Sequence, residues 1–317
     1  MKIINDKFKT AMVTGGAGFI GSHIVEELLN QDIKVVSVDD YSSGKVYNLD
    51  EFKRNKNLSI VECDVTNFKW LESVFKNYNI DIVFHNAASK KNICLKDPSR
   101  DLVVNGTGTY NICELSLKYN VQKVVHASTG SVYGEAVVLP QTEEHPLTPT
   151  SYYGVSKLAG ERYVKMYSDQ LGLNTTILRY FHVFGSRQDH DPELGGVVSI
   201  FIEKARQELP LIIHGDGTQQ RSFTHVKDIV GINLHTAYHD SSNGEVYNCA
   251  SGVNVTIQEL ADFVKNKTNL SAEHVYDDWL VGDIRMFNID NTKIKNLGFD
   301  FSTSFESGLD SLLTDQN

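Results

Sequence analysis

The stretch TGGAGFIG, residues 14–21, decides the fold. It follows the strand-like residues 11–13 and opens a helical pattern over residues 19–30. A glycine-rich turn between a strand and a helix is the setting in which backbone N–H groups meet the pyrophosphate of a dinucleotide. The glycines that serve the tight turn, the approach to the pyrophosphate and the packing of helix on strand are Gly15, Gly18 and Gly21.

Outward from this turn, short β-branched runs alternate with longer helical patterns. The predicted strands cover residues 34–38, 59–61, 82–84, 123–125 and 175–178. The predicted helices cover residues 68–78, 97–119 and 151–171. Parallel strands separated by helices are joined by right-handed crossovers, so the sequence predicts an α/β fold with a Rossmann-type, doubly wound parallel sheet.

The character of the sequence changes after about residue 181, where the loops become longer and more polar. A predicted helix over residues 226–238 and a strand over 246–248 return to the main sheet. We therefore predict a dinucleotide-binding domain of residues 1–180 plus about 226–250. A smaller, discontinuous substrate-binding lobe takes about 181–225 plus 251–317.

The composition limits the class of protein and its partners. Of the 317 residues, 41% are hydrophobic and 22% are charged, which is typical of a globular protein with a substantial core. The net charge of -10 argues against nucleic-acid binding, and no apolar run is long enough to cross a membrane. Four scattered cysteines and the absence of a signal-peptide pattern favour the reducing cytoplasm. No metal site is predicted.

Carboxylates follow the second and third predicted strands. Asp39 and Asp40 end the second strand, where a carboxylate accepts hydrogen bonds from ribose hydroxyls and repels a 2'-phosphate. This position predicts NAD rather than NADP, a preference that Ser42 or Lys45 could soften. Asp64 follows the third strand, where it could meet the adenine edge or cap the next helix.

A tyrosine and a lysine stand four residues apart on the predicted helix 151–171. Tyr153 and Lys157 therefore share one helix face. A nearby ammonium and a positive nicotinamide would lower the phenol pKa from its usual value near 10. The phenolate could then take a proton from a sugar hydroxyl while hydride leaves the same carbon. The fifth strand ends in Ser128-Thr129, which should bring a hydroxyl near this tyrosine.

These motifs, taken in order, resemble the extended short-chain dehydrogenases/reductases, specifically the nucleotide-sugar epimerase and dehydratase group, and most closely its UDP-glucose 4-epimerase type. The matching segments are TGGAGFIGSH at 14–23, VDDYSSG at 38–44, CDVTN at 63–67, HNAA at 85–88, NGTGTYN at 105–111, STGSVYG at 128–134, SYYGVSK at 151–157, LRYFHVFG at 178–185 and GDGTQQRSFTHVKD at 215–228. The resemblance covers nearly the whole chain. It implies NAD as the cofactor, a nucleotide-diphosphate sugar as the substrate and a homodimer.

The resemblance also implies roles for individual residues. Thr129 matches the catalytic hydroxyl, Tyr153 the base and Lys157 its partner; the lysine spacing favours Tyr153 over the adjacent Tyr152. The residues implied to bind the cofactor are Gly15, Gly18, Phe19, Ile20, Gly21, Asp39, Asp40, Ser42, Asp64, Val65, Ala87, Ala88, Asn105, Tyr153 and Lys157.

A second set of residues is implied to bind the substrate: Lys90, Thr129, Ser131, His182, Arg221 and Arg285. Lys91 is an alternative to its neighbour Lys90. The two arginines match those that grip the diphosphate, and a guanidinium suits phosphate bidentately. His182 stands where many epimerases have Asn, so either a substrate hydrogen bond or a packed structural histidine remains open.

The residues after Thr129 favour one reaction within the group. Family dehydratases carry an acid pair there, and related decarboxylases keep a Glu at the second position, but this chain has Gly130 and Ser131. Epimerisation needs only hydride out and hydride back, so we expect an epimerase, most often at C4 of a UDP-hexose or derivative. A dehydratase, decarboxylase or net dehydrogenase remains the alternative, together with a non-catalytic binding protein on the same fold.

Overall fold

The computed structural model describes residues 6–89, 94–191, 195–279 and 284–314. Its strands, in chain order, are β1 (Thr10–Thr14), β2 (Lys34–Asp39), β3 (Leu58–Glu62), β4 (Ile82–His85), β5 (Lys123–Thr129), β6 (Thr175–Tyr180), β7 (Val183–Phe184), β8 (Ile212–His214), β9 (Gln220–Ser222), β10 (Thr224–His225), β11 (Glu245–Cys249), β12 (Asn254–Thr256) and β13 (Val275–Asp277). The helices are α1 (Phe19–Asn30), α2 (Phe68–Asn77), α3 (Pro98–Leu102), α4 (Thr109–Lys118), α5 (Tyr152–Leu171), α6 (Val197–Arg206), α7 (Val226–Tyr238), α8 (Ile257–Thr268), α9 (Thr292–Asn296) and α10 (Phe305–Thr314). A π-helical segment (Val103–Gly108) joins α3 to α4.

The central sheet has seven strands in the order β11-β6-β5-β4-β1-β2-β3, and every neighbouring pair is parallel. Successive side chains of a strand point to opposite faces. Val13 accordingly packs in one core with α1 and α7, whereas Met12 packs in another with α2, α4 and α5. The predicted doubly wound sheet, including the return of β11 beside β6, is confirmed.

The second lobe has its own core and small sheets. β9 pairs with β12 in antiparallel fashion, and β8 pairs with β13 in parallel. Phe201 on α6, Leu260 on α8 and Leu309 on α10 share one apolar cluster. The predicted lobe boundary, 251–317, is wrong for the segment around α9. This helix packs on β11, and its Ile294 is buried in the core of the main sheet.

Local sequence signals explain where the helices begin and end. The Ser151 hydroxyl accepts a hydrogen bond from the Gly154 N–H at 3.1 Å and so caps α5, which ends at Gly172 in the left-handed conformation. Thr256 and Glu259 form a reciprocal capping box at the start of α8. None of the helices within the described ranges combines the length and apolar character that crossing a bilayer requires.

Candidate active site

A cleft of about 280 Å³ lies along the carboxyl edge of the central sheet. This edge is where open parallel sheets bind their ligands. The predicted cofactor residues that line the cleft are Gly15, Gly18, Phe19, Ile20, Gly21, Asp39, Asp40, Ser42, Asp64, Val65, Ala87, Ala88, Tyr153 and Lys157. The residues that the sequence analysis missed include Ser43, Gly44, Asn86, Arg100, Val104 and Tyr180.

The glycine-rich turn fits a pyrophosphate. Gly15 has φ +65°, and a Cβ at this position would lie 2.8 Å from the Ala87 backbone N, so only glycine fits here. The first turn of α1 has neither a side-chain cap nor an acidic residue, and Gly18, Phe19 and Ile20 line the cleft. Backbone donors and the positive end of the helix dipole are therefore available to an anion.

The two carboxylates after β2 are fixed by their own loops. Asp39 accepts hydrogen bonds from the Ala17 and Tyr41 N–H groups, both at 2.9 Å, while burial raises the pKa of its carboxyl group. Asp40 Oδ1 accepts from the Ser42 N–H at 3.0 Å and the Ser42 hydroxyl at 2.7 Å. Both carboxylates line the cleft and keep further lone pairs for a ligand.

Asp64 does not cap the helix that follows it. Asn67 is the N-cap of α2 and accepts from the Trp70 N–H at 3.1 Å. Asp64 Oδ1 instead accepts from the Thr66 N–H at 2.8 Å, and its Oδ2 accepts from Arg100 Nη2 at 2.8 Å. Arg100 is a cleft residue that the sequence analysis missed, since it lies 36 positions away from Asp64 in the chain.

Two asparagines near the end of β4 differ from expectation. Asn105 is fully buried and lies behind the lining of the cleft, so its cofactor-side role stays a prediction. Its side chain joins Ser89 N–H (3.0 Å), Asp101 (2.9 Å) and the Ser156 hydroxyl (2.9 Å), which fixes α5 from beneath. Asn86 does line the cleft, and its buried Nδ2 has no hydrogen-bond partner among the described residues. A ligand acceptor would satisfy this donor.

The predicted catalytic group comes together at the carboxyl end of β5. Thr129 is the last residue of β5, and its side chain acts on the Tyr153 phenol by lowering the phenol pKa against the effect of burial. Lys157 Nζ donates to the Ala127 carbonyl at 2.7 Å and is buried on the same side. Tyr152, in contrast, is 58% exposed. The geometry thus separates the two adjacent tyrosines as the lysine spacing predicts.

Burial dominates the ionisation of this pair. It raises the pKa of Tyr153 to about 12 and lowers the pKa of Lys157 to about 8, against the opposing charges of Glu161 and Asp101 on the lysine. The predicted lowering of the phenol pKa by the ammonium together with a positive nicotinamide stays a prediction. A further positive charge next to the phenol is needed before it can act as a base near neutral pH.

The residue after Thr129 leaves no space for a side chain. A Cβ on Gly130 would overlap the Phe181 ring. The next residue, Ser131, interacts with Thr129 through its N–H at 3.2 Å and its hydroxyl at 3.3 Å. Phe181 therefore excludes an acidic side chain from position 130.

An aromatic cluster connects this group to the second lobe. The Phe287 ring centroid lies 6.1 Å from that of Phe181 and 4.8 Å from that of His182. His182 adopts φ +36°, a region that Asn and His enter more readily than most residues. Its ring is packed edge-on against Phe287 and Phe223, which favours the structural alternative for this histidine.

The two predicted diphosphate arginines lie on neighbouring segments. Arg221 is buried, donates to the Ile284 carbonyl at 2.8 Å and lies 5.7 Å from the Phe287 centroid. Arg285 is exposed, and its guanidinium stacks 4.4 Å from the Trp279 ring centroid. A hydrogen bond from Gln220 N to the Arg285 carbonyl, 3.0 Å, joins the two segments. Lys90 and its alternative Lys91 lie outside the described residues.

A dinucleotide cleft that ends at a Tyr–Lys–Thr group defines a Rossmann-fold enzyme for hydride and proton transfer. The chain belongs to the NAD dependent epimerase/dehydratase family, whose model matches residues 11–250, and its cofactor is NAD. A UDP-glucose 4-epimerase of Mycolicibacterium smegmatis is 33% identical over 303 residues, covering 94% of this chain and 95% of the relative. A UDP-N-acetyl-alpha-D-glucosaminuronate decarboxylase of Bacillus cytotoxicus is 34% identical over 274 residues, covering 84% and 83%. The crystal structure of UDP-glucose 4-epimerase from Thermotoga maritima with UDP-glucose matches with a TM-score of 0.90 and 38% identity, covering 96% of this chain and 97% of that chain.

Proposed function

We propose that this protein is a 4-epimerase of a UDP-hexose or a derivative of one. The observation that carries the proposal is that Tyr153 and Lys157 line one cleft at the end of β5, where Thr129 is followed by a position that Phe181 closes to any side chain. This arrangement provides a proton acceptor at the sugar hydroxyl and supplies no acid at position 130. Relatives that are named as UDP-sugar 4-epimerases support the choice of nucleotide and carbon.

In this proposal each side chain has one task. Tyr153 takes the proton of the C4 hydroxyl, and Thr129 holds the phenol and that hydroxyl in line. Lys157 supplies positive charge and hydrogen bonds beside the phenol. Bound NAD supplies a hydride acceptor and a second positive charge that lowers the phenol pKa. Tyr153 returns the proton once the hydride has come back to the opposite face of the keto sugar.

Dehydration and decarboxylation are the alternative reactions on this scaffold. Sequence identity does not separate decarboxylation from epimerisation, since the decarboxylase is 34% and the epimerase 33% identical to this chain. In the family pattern, dehydratases carry an acid pair after the catalytic hydroxyl, and decarboxylases keep a Glu at the second position. The overlap of any Gly130 side chain with Phe181, and the hydroxyl of Ser131 at the next position, argue against both reactions. We therefore keep them as outcomes of the test.

We further propose that the second lobe, about 181–225 plus 251–317 without the segment around α9, binds the nucleotide diphosphate. Its supporting features are the buried Arg221 and the exposed Arg285 on hydrogen-bonded segments. Arg221 Nη1 donates to the backbone carbonyls of Gln220 and Ile284. These bonds fix the orientation of the guanidinium and of its remaining N–H groups. Ser131 keeps its predicted substrate role in this proposal, whereas His182 is assigned the structural role that its ring packing favours.

The assembly and compartment follow from the surface and the cysteines. We propose a homodimer formed through α4 and α5, whose exposed faces carry Tyr110, Val155 and Met166. Large exposed apolar surfaces of this kind mark interfaces. All four cysteines are buried free thiols, which supports the reducing cytoplasm.

The test is proton NMR of the purified protein with UDP-glucose, UDP-N-acetylglucosamine and UDP-glucuronate in turn, without added NAD. We expect one of these substrates to give a second sugar spin system with changed ring couplings at H4 and unchanged mass. Loss of water or carbon dioxide would establish a dehydratase or a decarboxylase. Turnover that begins only with added NAD, with NADH accumulating, would establish a dehydrogenase.

A further inference from the structure

An ion-pair cluster lies at the end of the cleft formed by β2 and β3. Arg100, in the first turn after the Asp97 cap, donates from Nη2 to Asp64 at 2.8 Å and to Asp40 at 3.2 Å. Its Nη1 lies 3.4 Å from the Thr66 hydroxyl. Asp40, Asp64 and Arg100 all line the cleft. The guanidinium thus joins the ends of two strands on the surface that faces the ligand.

This cluster lies far from the catalytic group. In the sheet order β5-β4-β1-β2-β3, β2 and β3 are the third and fourth strands from β5. Strands about 4.8 Å apart place the cluster roughly 14–19 Å from Thr129. If the nicotinamide lies at Tyr153, as the proposed function requires, the adenosine ribose and adenine lie at Arg100.

The two kinds of residue that select a dinucleotide occur together here. A carboxylate after the second strand favours the free ribose hydroxyls of NAD, whereas an arginine nearby accommodates the 2'-phosphate of NADP. Asp40 is held on both oxygens, because Ser42 bonds one and Arg100 bonds the other. The same ion pair engages the Arg100 guanidinium, and the cluster of three keeps one net negative charge.

We propose that Arg100 is a specificity-determining residue at the adenosine end of the cleft, and that Asp40 withholds its guanidinium from a 2'-phosphate. Arg100 keeps Asp40 and Asp64 close together as a rigid wall beside the adenosine. Asp40 and Asp64 together occupy Nη2 of the guanidinium, and Asp40 is the partner on the β2 side, where the ribose is expected. The preference for NAD therefore depends on this ion pair as well as on the charge of the carboxylate after β2.

The decisive variant is Asp40→Asn. An asparagine keeps an oxygen for the Ser42 N–H and directs its amide NH2 at Arg100, so that the turn survives while the ion pair is lost. We expect Arg100 then to bind the 2'-phosphate. The ratio of bound NADP to bound NAD should rise at least tenfold relative to the unmodified protein.

The measurement is a competition that does not depend on turnover. Each protein is incubated with equal concentrations of NAD and NADP, desalted and denatured, and the released dinucleotides are quantified by chromatography. The set comprises the unmodified protein, Asp40→Asn, Arg100→Met and the double variant. Arg54→Met is the matched control, because Arg54 is an exposed arginine outside the cleft lining.

Arg100→Met should reduce the retained NAD several-fold without a gain of NADP, and the double variant should lose the NADP gain of Asp40→Asn. An equal NADP gain with and without Arg100, or no gain in Asp40→Asn, overturns the proposal. If Arg100→Met fails to unfold cooperatively, Arg100→Lys takes its place, because lysine keeps the positive charge but lacks the planar guanidinium. Combined with Asp40→Asn, it should reduce the NADP gain of Asp40→Asn at least threefold. Since dinucleotides are counted directly, failure of the epimerase reaction would leave this result readable.

Discussion

Tyr152 and Tyr153 are neighbours in the sequence with opposite surroundings. Tyr152 is 58% exposed, whereas Tyr153 lines the cleft, where the Thr129 side chain lowers the pKa of its phenol against the effect of burial. Tyr153→Phe removes the proton acceptor and leaves the ring in place. We expect it to lower the epimerisation rate by about 10²–10⁴-fold, the usual contribution of a general base.

Tyr152→Phe is the matched control, and its rate should stay within about twofold of the unmodified enzyme, since it loses a solvent-exposed hydroxyl. Both rates are measured by NMR at saturating substrate, with retained NAD quantified in each preparation. Equal loss in the two variants would remove Tyr153 from its proposed role.

Lys157 gives the protein a predictable dependence of stability on pH. Burial lowers its pKa to about 8 in the folded protein, against about 10.4 in an unfolded chain. Between these pH values the unfolded chain binds more protons, so the contribution of Lys157 to folding becomes more favourable as pH rises. The slope is at most about 1.4 kcal/mol per pH unit.

The corresponding variant is Lys157→Met, which lacks this titration. The difference in free energy of unfolding, unmodified protein minus variant, should increase between pH 8 and pH 10 in urea titrations. Taking the difference cancels the groups that titrate in both proteins. A difference that stays constant or decreases over this window contradicts a lowered lysine pKa.

At the level of elements, a buried ion pair joins α5, which carries the catalytic residues, to β6. Arg179 on β6 donates to Glu161 on α5 from Nε at 3.0 Å and from Nη2 at 2.9 Å, and both side chains are 4% exposed. Ser128 on β5 donates to the same carboxylate at 2.5 Å. Removing one member of such a pair leaves an uncompensated buried charge.

We therefore expect Glu161→Gln to lower the free energy of unfolding by about 3–5 kcal/mol. Asp169→Asn on the same helix breaks the exposed pair with Lys165, 2.6 Å, and should cost below about 0.5 kcal/mol. Both are measured by urea denaturation at pH 7. Similar small losses in the two variants would show that the buried bridge does not hold α5 to the sheet.

The predicted secondary-structure elements and the missed ones differ in how clearly the local sequence marks them. The helix over 19–30 and the strands of the main sheet follow from local periodicity and were predicted nearly to the residue. The helices of the second lobe were missed, although the Thr256–Glu259 spacing is a capping-box signature that could have revealed α8. α6 begins after an uncapped glycine, so only the helical spacing of Val198, Phe201, Ile202 and Ala205 could have revealed it.

Over the whole molecule, the residues of the candidate site divide in the same way. Gly15, Tyr153 and Lys157 were predictable because each belongs to a short motif whose spacing carries its geometry. Arg100 and Phe181 could not be predicted in the same way. Arg100 pairs with Asp64 and Phe181 packs on Gly130, and both contacts arise only from tertiary packing. The buried position of Asn105 likewise depends on how α3 and α5 meet, and no motif in the sequence reports this.

The proposed dimer follows from a continuous apolar surface on two neighbouring helices. Val155, Tyr163 and Met166 of α5 recur at helical spacing and are 47–58% exposed, and the Tyr110 ring of α4 lies 5.8 Å from that of Tyr163. Two such helices from each protomer, related by a twofold axis, would bury this surface. Sedimentation velocity should therefore give twice the 35.5 kDa mass of the chain.

Met166→Arg places a charge in the middle of the proposed interface and should yield monomers, because an unpaired charge cannot be buried there without a large desolvation cost. Trp70→Arg is the matched control, since Trp70 on α2 is similarly exposed at 53% but lies outside the surface formed by α4 and α5. The catalytic residues Tyr153 and Lys157 share α5 with this surface, so a monomeric variant should also lose activity through a looser α5. A protein that sediments as a monomer before any substitution, or a Met166→Arg variant that stays dimeric, would place the dimer interface elsewhere or remove it.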